Sequence, residues 1–355
     1  MRAKRSRAVL PLGVALGLFA ALPLSTQGVQ GHPDRTDIGA GTGSSSEWTA
    51  QPPLRLARTG LGVATVDGKI LAIGGFDFCC VEDFASVEGR SLTGSGAWGA
   101  LAPMTNARAN VATTTVRGLA YAVGGFHGED TLNVVETFDP ASGLWSNILP
   151  LPQPRGAAGA ASLGGLLYVA GGYIPLTGHR FEIARSMVVY DPVRNTWNSV
   201  APMPTARWRL RLVASGPFLY AIGGEDPTGT SVTTVERYDP QSDSWRTMNP
   251  MYERRHVPCA VETKVGERRF LVVVGGAQRS EGVFVGGRRT TEVFDPATGQ
   301  WTLLDVLLPI ERASHGCAAQ PDGTVLAIGG ASGPAGGFIS LANVDSLFIN
   351  PSELR

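Results

Sequence analysis

The sequence predicts an all-β protein: a six-bladed β-propeller of four-stranded antiparallel blades, closed by an N-terminal strand that completes the sixth blade. Three observations carry this prediction. Six segments end in a double glycine, "ILAIGG", "AYAVGG", "LYVAGG", "LYAIGG", "LVVVGG" and "VLAIGG", and their first glycines are spaced 50, 47, 52, 52 and 54 residues apart. Upstream of each pair lie an arginine and, ten or eleven residues earlier, a tryptophan. Within each unit the β-branched and aromatic runs are short and bounded by Gly, Pro, Asp or Ser, so one repeat reads as four strands. A four-stranded unit repeated at this period cannot bury both its faces alone, and must stack around an axis.

The elements follow in order. In the second repeat "NVATTTV" is a strand, "RG" a turn, "LAYAVGG" the next strand, "NVVETFD" the third, "PASG" a turn and "LWSNI" the fourth. The double glycines are Gly74 and Gly75, Gly124 and Gly125, Gly171 and Gly172, Gly223 and Gly224, Gly275 and Gly276, and Gly329 and Gly330. They let the chain leave the second strand against neighbouring backbone, where a Cβ would clash. No Lys-Ser/Thr follows them, so they are not a phosphate loop. Trp48, Trp98, Trp145, Trp197, Trp245 and Trp301 are blade-packing residues. The sixth repeat ends after its third strand, near "NVDSLFINP", whereas Trp48 has no blade before it. The strand around Trp48 is therefore expected to close the ring, which removes an exposed edge.

The chain has 355 residues, 46 of them glycine and 24 proline, with zero formal net charge. Residues 1–30 read as a signal peptide: a basic start, "MRAKRSR", then an apolar run and small polar residues. Residues 31–43 read as a flexible lead-in and 44–355 as the propeller. Removing 1–30 leaves 26 Lys+Arg against 30 Asp+Glu, with no polybasic run, so no nucleic-acid partner is expected. No membrane span is expected in the mature chain, which is read as a secreted, periplasmic or cell-surface monomer. Retention of the apolar run as an anchor is the alternative.

The double glycines, the aromatic-Asp-Pro of "ETFDP", "VVYDP", "ERYDP" and "EVFDP", the spaced tryptophans, and the Pro-Met-x-x-x-Arg of "APMTNAR" and "APMPTAR" resemble the kelch repeat. The resemblance covers about residues 44–355. It implies a propeller whose first strands line a central channel, and leaves function open, because similar propellers bind proteins, bind sugars or catalyse.

Arg58, Arg108, Arg155, Arg207, Arg255 and Arg312 recur once per blade; Glu88, Glu136, Glu236, Glu292 and Asp345 recur in the third strand. They are expected to form pairs that pin loops. The third repeat has Val188 in place of the acid, so Arg155 needs another partner.

Function is sought where the repeats differ. Two and four residues after the repeated arginine, the channel face carries Gly60 and Gly62, Asn110 and Ala112, Ala157 and Gly159, Arg209 and Arg211, Val257 and Cys259, then Ser314 and Gly316. Blade four alone places arginines there. They need an internal acid, such as Glu225, Asp226 or Glu129, or an anionic ligand, which a guanidinium grips bidentately. Counted back from Gly329, His315 and Cys317 align with Arg209 and Arg211; counted from Arg312, His315 points away. The one extra residue implies a bulge in "SHGCAAQPDG". Arg209, Arg211, Asn110, Ser314 and His315 are the candidate ligand-binding residues.

The disulfide candidates are Cys79, Cys80, Cys259 and Cys317, with pairing left open. Cys259 and Cys317 fall on adjacent blades, and Cys79 and Cys80 form a vicinal pair in an exported loop. The long loops after the double glycines of blades one, three and five, with His179, Arg180, Arg185, Arg279, Arg288 and Arg289, are candidate binding segments.

The expected function is an exported binding protein for a protein or saccharide ligand, anionic ones included, at the loop face and channel mouth. The alternative is a sugar-active enzyme similar to a sialic-acid mutarotase, with an arginine holding the substrate carboxylate and Glu225 or Asp226 as acid/base. A copper oxidase similar to galactose oxidase, whose site needs two His, two Tyr and a Cys, is disfavoured, because the ring has six blades rather than seven and no pair of His plus Tyr falls at matching inward positions. No catalytic residue, metal site or cofactor is assigned.

Overall fold

A computed structural model of the chain describes residues 46–94, 96–334 and 337–354. The leader and lead-in expected over 1–43 lie outside the described residues. Six four-stranded antiparallel sheets stand around one axis, as predicted. Blade four is typical: Arg211–Ser215, Phe218–Ile222, Val235–Asp239 and Ser244–Thr247, innermost to outermost. Blade five has a longer inner hairpin, Cys259–Val265 and Arg268–Val274. Blade six is assembled from both ends of the described chain. Its inner strands are Gly316–Ala319 and Val325–Ile328, its third Val344–Phe348, and its outermost Glu47–Gln51, with Trp48 opposite Leu347. A single 3-10 turn, Pro351–Leu354, follows.

The repeated residues form a latch between blades. The buried guanidinium of each repeated arginine donates Nη1 to its own blade: Arg58 to Gly74 O at 2.8 Å, Arg207 to Gly223 O at 2.7 Å. Its backbone carbonyl accepts the second glycine's N–H from the preceding blade, as in Gly75 to Arg108 at 2.9 Å. Gly330 does the same with Arg58 at 2.8 Å, and so joins blade six to blade one. A Cβ at Gly124 would lie 2.2 Å from Arg155 O, and its φ is +56°. Two causes therefore select glycine there.

The expected charge pairs are present: Arg58–Glu88, Arg108–Glu136, Arg207–Glu236, Arg255–Glu292 and Arg312–Asp345. The acid also caps the Pro-Met turn, since Glu136 accepts the N–H groups of Thr105 at 2.7 Å and Asn106 at 3.3 Å. Arg155, facing Val188, donates instead to Ser186 Oγ at 3.0 Å and to two carbonyls. Burial pulls Arg108 and Arg155 down to about 10, so both stay charged at neutral pH.

The aromatic-Asp-Pro motif has two jobs. Its aromatic ring meets the tryptophan across the outer strand pair, as in Phe138–Trp145 and Tyr238–Trp245. Its aspartate Oδ1 accepts the N–H two residues on, for example Ala141 at 2.9 Å, and so shapes the turn. Five tryptophans then reach back to the preceding blade, as Trp245 Nε1 donates to Ala201 O at 2.8 Å.

The extra residue of blade six lies in its inner hairpin turn, not in a strand bulge. Gly316 pairs with Ile328 as Arg211 pairs with Ile222, and Gln320 N closes the longer turn onto Thr324 O. The count from Arg312 therefore holds.

Candidate functional site

The channel narrows at the double-glycine face by a ring of main chain. Gly60, Asn110, Ala157, Arg209, Val257 and Ser314 all have φ between +44° and +62°. Each donates its N–H to the preceding member's carbonyl: Asn110 to Gly60 at 2.7 Å, Arg209 to Ala157 at 2.7 Å, Val257 to Arg209 at 2.8 Å, and Gly60 to Ser314 at 2.8 Å. The circuit of hydrogen bonds is closed. Left-handed backbone is costly for a β-branched residue such as Val257, and the circle of bonds holds it there. The cavity at this ring is about 20 Å³. Below it the channel widens to a space of about 80 Å³, and then to a funnel of about 380 Å³ on the opposite face, lined by threonines such as Thr65, Thr113 and Thr115.

This geometry separates the two arginines. Arg209 belongs to the ring, and its side chain is engaged. Its guanidinium stacks on Trp208 at 3.8 Å and pairs with buried Glu225 at 3.0 Å. Burial pulls its pKa down to about 10, against the pull of Glu225. Arg211 lies one step deeper. Nε donates to Pro258 O at 2.6 Å and Nη2 to His315 O at 2.9 Å. Among the described residues Arg211 has no carboxylate partner, and Nη1 makes no hydrogen bond. Burial pulls it to about 10, so it remains a cation. It borders both the ring cavity and the space below it, so the open approach to it runs through the funnel.

Asn110 and Ser314 belong to the same main-chain ring as Arg209, each separated from it by one member, Ala157 and Val257 respectively. His315 does not join them. It is fully buried on the far side of the strand, because the extra residue of blade six falls after it. Desolvation, with Arg312, Arg211 and Arg255 nearby, holds its imidazole well below the usual histidine range. Cys259 and Cys317 form a disulfide between blades five and six, Cα to Cα 5.6 Å. Cys79 and Cys80 are exposed free thiols.

A buried row at the blade four–five junction went unseen in the sequence. Ser231 Oγ lies 2.8 Å from His256 Nδ1 and accepts the Arg279 N–H at 2.8 Å, which leaves its hydroxyl proton for the imidazole. His256 Nε2 faces Glu225 at 4.0 Å. Desolvation first, then Arg209 and Arg279, keeps His256 neutral. The order serine–imidazole–carboxylate is that of an activated hydroxyl, but Ser231 and His256 are both 0% exposed. The row ties loops together and meets no solvent. The position after the repeated arginine carried the signal: Thr59, Ala109, Gly156, Trp208, His256 and Ala313, with large rings at two places.

The double-glycine face also carries an aromatic row across three blades. Phe76 meets Phe78 at 5.2 Å, Phe78 meets Phe338 at 6.0 Å, and Phe338 meets Phe284 at 5.1 Å. Val81, Val283, Val285 and Ile339, in the same loops, are exposed.

Six four-stranded blades around a channel, latched by the repeated glycines and arginines, define a β-propeller of the kelch type. The Kelch motif model matches residues 57–88, 107–152, 154–204 and 212–252, and the chain belongs to the kelch-repeat family. It is 32% identical over 186 residues to Kelch-like protein 34 of Homo sapiens, covering 49% of this chain and 27% of that protein. It is 32% identical over 153 residues to Kelch-like protein 35 of Mus musculus, covering 41% and 24%. An F-box/kelch-repeat protein of Arabidopsis thaliana is 30% identical over 122 residues, covering 34% of this chain and 29% of that one. The chain thus spans about a quarter of the length of these relatives. The solved structure of YjhT superposes with a TM-score of 0.70 at 15% identity, covering 85% of this chain and 97% of that one, which is a likeness of fold.

Proposed function

We propose that this is an exported binding propeller that takes an anionic ligand, a carboxylated saccharide or an acidic peptide side chain, in its central channel. One observation carries the reading: Arg211 is a desolvated cation with Nη1 unengaged, lining the space of about 80 Å³ that lies between the ring and the funnel, and no acid of the described residues neutralises it. A guanidinium so placed favours a carboxylate, through charge-assisted hydrogen bonds worth about 1.5–3 kcal/mol. Glu262, at the funnel wall, is engaged by Arg269 and does not compete.

A mutarotase-like enzyme fits less well. Glu225 is held by Arg209, and Asp226 Oδ1 accepts from Thr228 N at 2.9 Å and Thr230 N at 3.1 Å within its own turn. Neither acid approaches Arg211.

Titration calorimetry of uronic acids, sialic-type acids and acidic peptides against the domain tests the proposal. Arg211→Met should weaken any hit about 10- to 100-fold, from the same hydrogen-bond energy, while Arg211→Lys retains part of it. Equal binding by Arg211→Met, or no binding across the panel, would refute it. Accelerated anomeric exchange of a bound sugar, seen by NMR, would instead show an enzyme.

A second reading rests on the aromatic row. Phe76, Phe78, Phe338 and Phe284 form an anchor of the kind that protein partners bury, and a protein partner on the double-glycine face is its expected occupant.

A further inference from the structure

Cys259, Cys317 and His315 present two sulfurs and an imidazole nitrogen within 4.8 Å of one another at the junction of blades five and six. His315 is 0% exposed, and among the described residues neither Nδ1 nor Nε2 has a hydrogen-bond partner. A buried imidazole with both nitrogens idle is rare, because each forfeits the hydrogen bond it had in water. The fold makes room for this ring: a Cβ at Gly275 would come 2.9 Å from His315 Cε1. Its main-chain carbonyl is also fixed, by Arg211 Nη2 at 2.9 Å.

We propose that the reduced Cys259–Cys317 pair and His315 form a three-coordinate site for a soft monovalent ion, Cu(I), and that the disulfide closes it. The donor set selects the ion. Thiolates favour Cu(I), and three donors suit it better than Zn(II), which takes four ligands in closed structural sites. The charges agree. Two thiolates and Cu(I) carry one net negative charge, and the guanidinium of Arg211, which lines the same space as Cys317, has no carboxylate partner among the described residues. The other arginines nearby, Arg312 and Arg255, are already paired with Asp345 and with Glu292. An entry path exists, since Cys317 lines both the space below the ring and the funnel.

The opening step needs a dithiol reductant. One thiolate of the dithiol attacks a sulfur of the bridge and releases the other cysteine as a thiolate; its second thiol, as thiolate, then attacks the mixed disulfide and releases the first cysteine. The products are two protein thiols and a cyclic disulfide: two electrons and two protons pass to the protein. Cu(I) then replaces the two thiol protons, which go to buffer, and the idle imidazole nitrogen completes the set.

The test uses the Cys79→Ser/Cys80→Ser variant, because those exposed thiols and Asp77 form a competing cluster. The protein is reduced anaerobically with a dithiol, desalted, and titrated with Cu(I) delivered as its bicinchoninate complex. The expected result is one equivalent taken up by the reduced protein and none by the oxidised protein. X-ray absorption should show two sulfurs and one nitrogen around copper. Cys317→Ser should lose the equivalent; His315→Asn should retain copper with two-sulfur coordination and at least tenfold weaker affinity. Four results would overturn the proposal: no uptake on reduction, uptake that survives Cys317→Ser, His315→Asn matching the parent in both measurements, or loss of the native circular dichroism on reduction, since the site exists only between folded blades.

Discussion

Glu136 offers the sharpest perturbation of the blade latch. It is 0% exposed; Oε1 accepts Arg108 Nη2 at 2.8 Å and Asn106 N at 3.3 Å, and Oε2 accepts Thr105 N at 2.7 Å. Glu136→Val reproduces the natural state of blade three, where Val188 faces Arg155. Blade three, however, has Ser186 two residues earlier, whose Oγ takes the arginine Nη2; blade two has Val134 there. The substitution therefore leaves a buried guanidinium and two N–H groups without their acceptor, at a cost of about 3–5 kcal/mol. Adding Val134→Ser supplies the missing hydroxyl and should return about 1.5 kcal/mol, the lower range for a hydrogen bond to a charged group. In blade one Ser86 Oγ already accepts Arg58 Nη2 at 3.1 Å, so Glu88→Val should cost less than Glu136→Val by a similar amount. Urea denaturation followed by tryptophan fluorescence and by circular dichroism measures all three, provided the two probes coincide. A cost below about 1 kcal/mol for Glu136→Val, or no recovery with Val134→Ser, would refute the reasoning.

Further outcomes follow from the same geometry. Deleting residues 44–52 removes the outer strand of blade six and should lower the melting temperature far more than deleting 31–43; equal melting temperatures would sink the idea of closure by this strand. Gly124→Ala forces a Cβ against Arg155 O, whereas Gly128→Ala, at the same φ of +56°, meets nothing within 4 Å. The first should cost about 2–4 kcal/mol and the second about 1, and equal costs in chemical denaturation would refute the latch. His256 is neutral in the fold, with its pKa depressed, so both states are neutral above the unfolded value of ~6.5. As pH falls below that value the unfolded chain takes up a proton that the fold refuses, and stability drops by about 1.4 kcal/mol per pH unit. His256→Gln should lose this component between about pH 6.5 and 5; an unchanged slope would contradict the assignment.

The sequence by itself determined the blade count, the closing strand and the charge ring, because each blade must satisfy the same burial and hydrogen-bond demands and so repeats the same residues. Arg58 with Glu88 could be paired on paper for that reason, and the gap at Val188 could be noticed. Where copies differ there is no second instance to compare. Arg209 and Arg211 looked equivalent in the strand, two apart on one face; the tertiary structure alone decided that Trp208 and Glu225 absorb the first and that the second is left facing the channel. The ring of six left-handed residues was invisible, since Asn110, Ala157, Arg209, Val257 and Ser314 share no side-chain chemistry, and main-chain bonds between blades hold them. His315 could not be placed while the extra residue of blade six had no address. Its place was set by the turn at 320–324, which leaves His315 beside Cys259 and Cys317, a neighbourhood made by stacking blades and not by order along the chain.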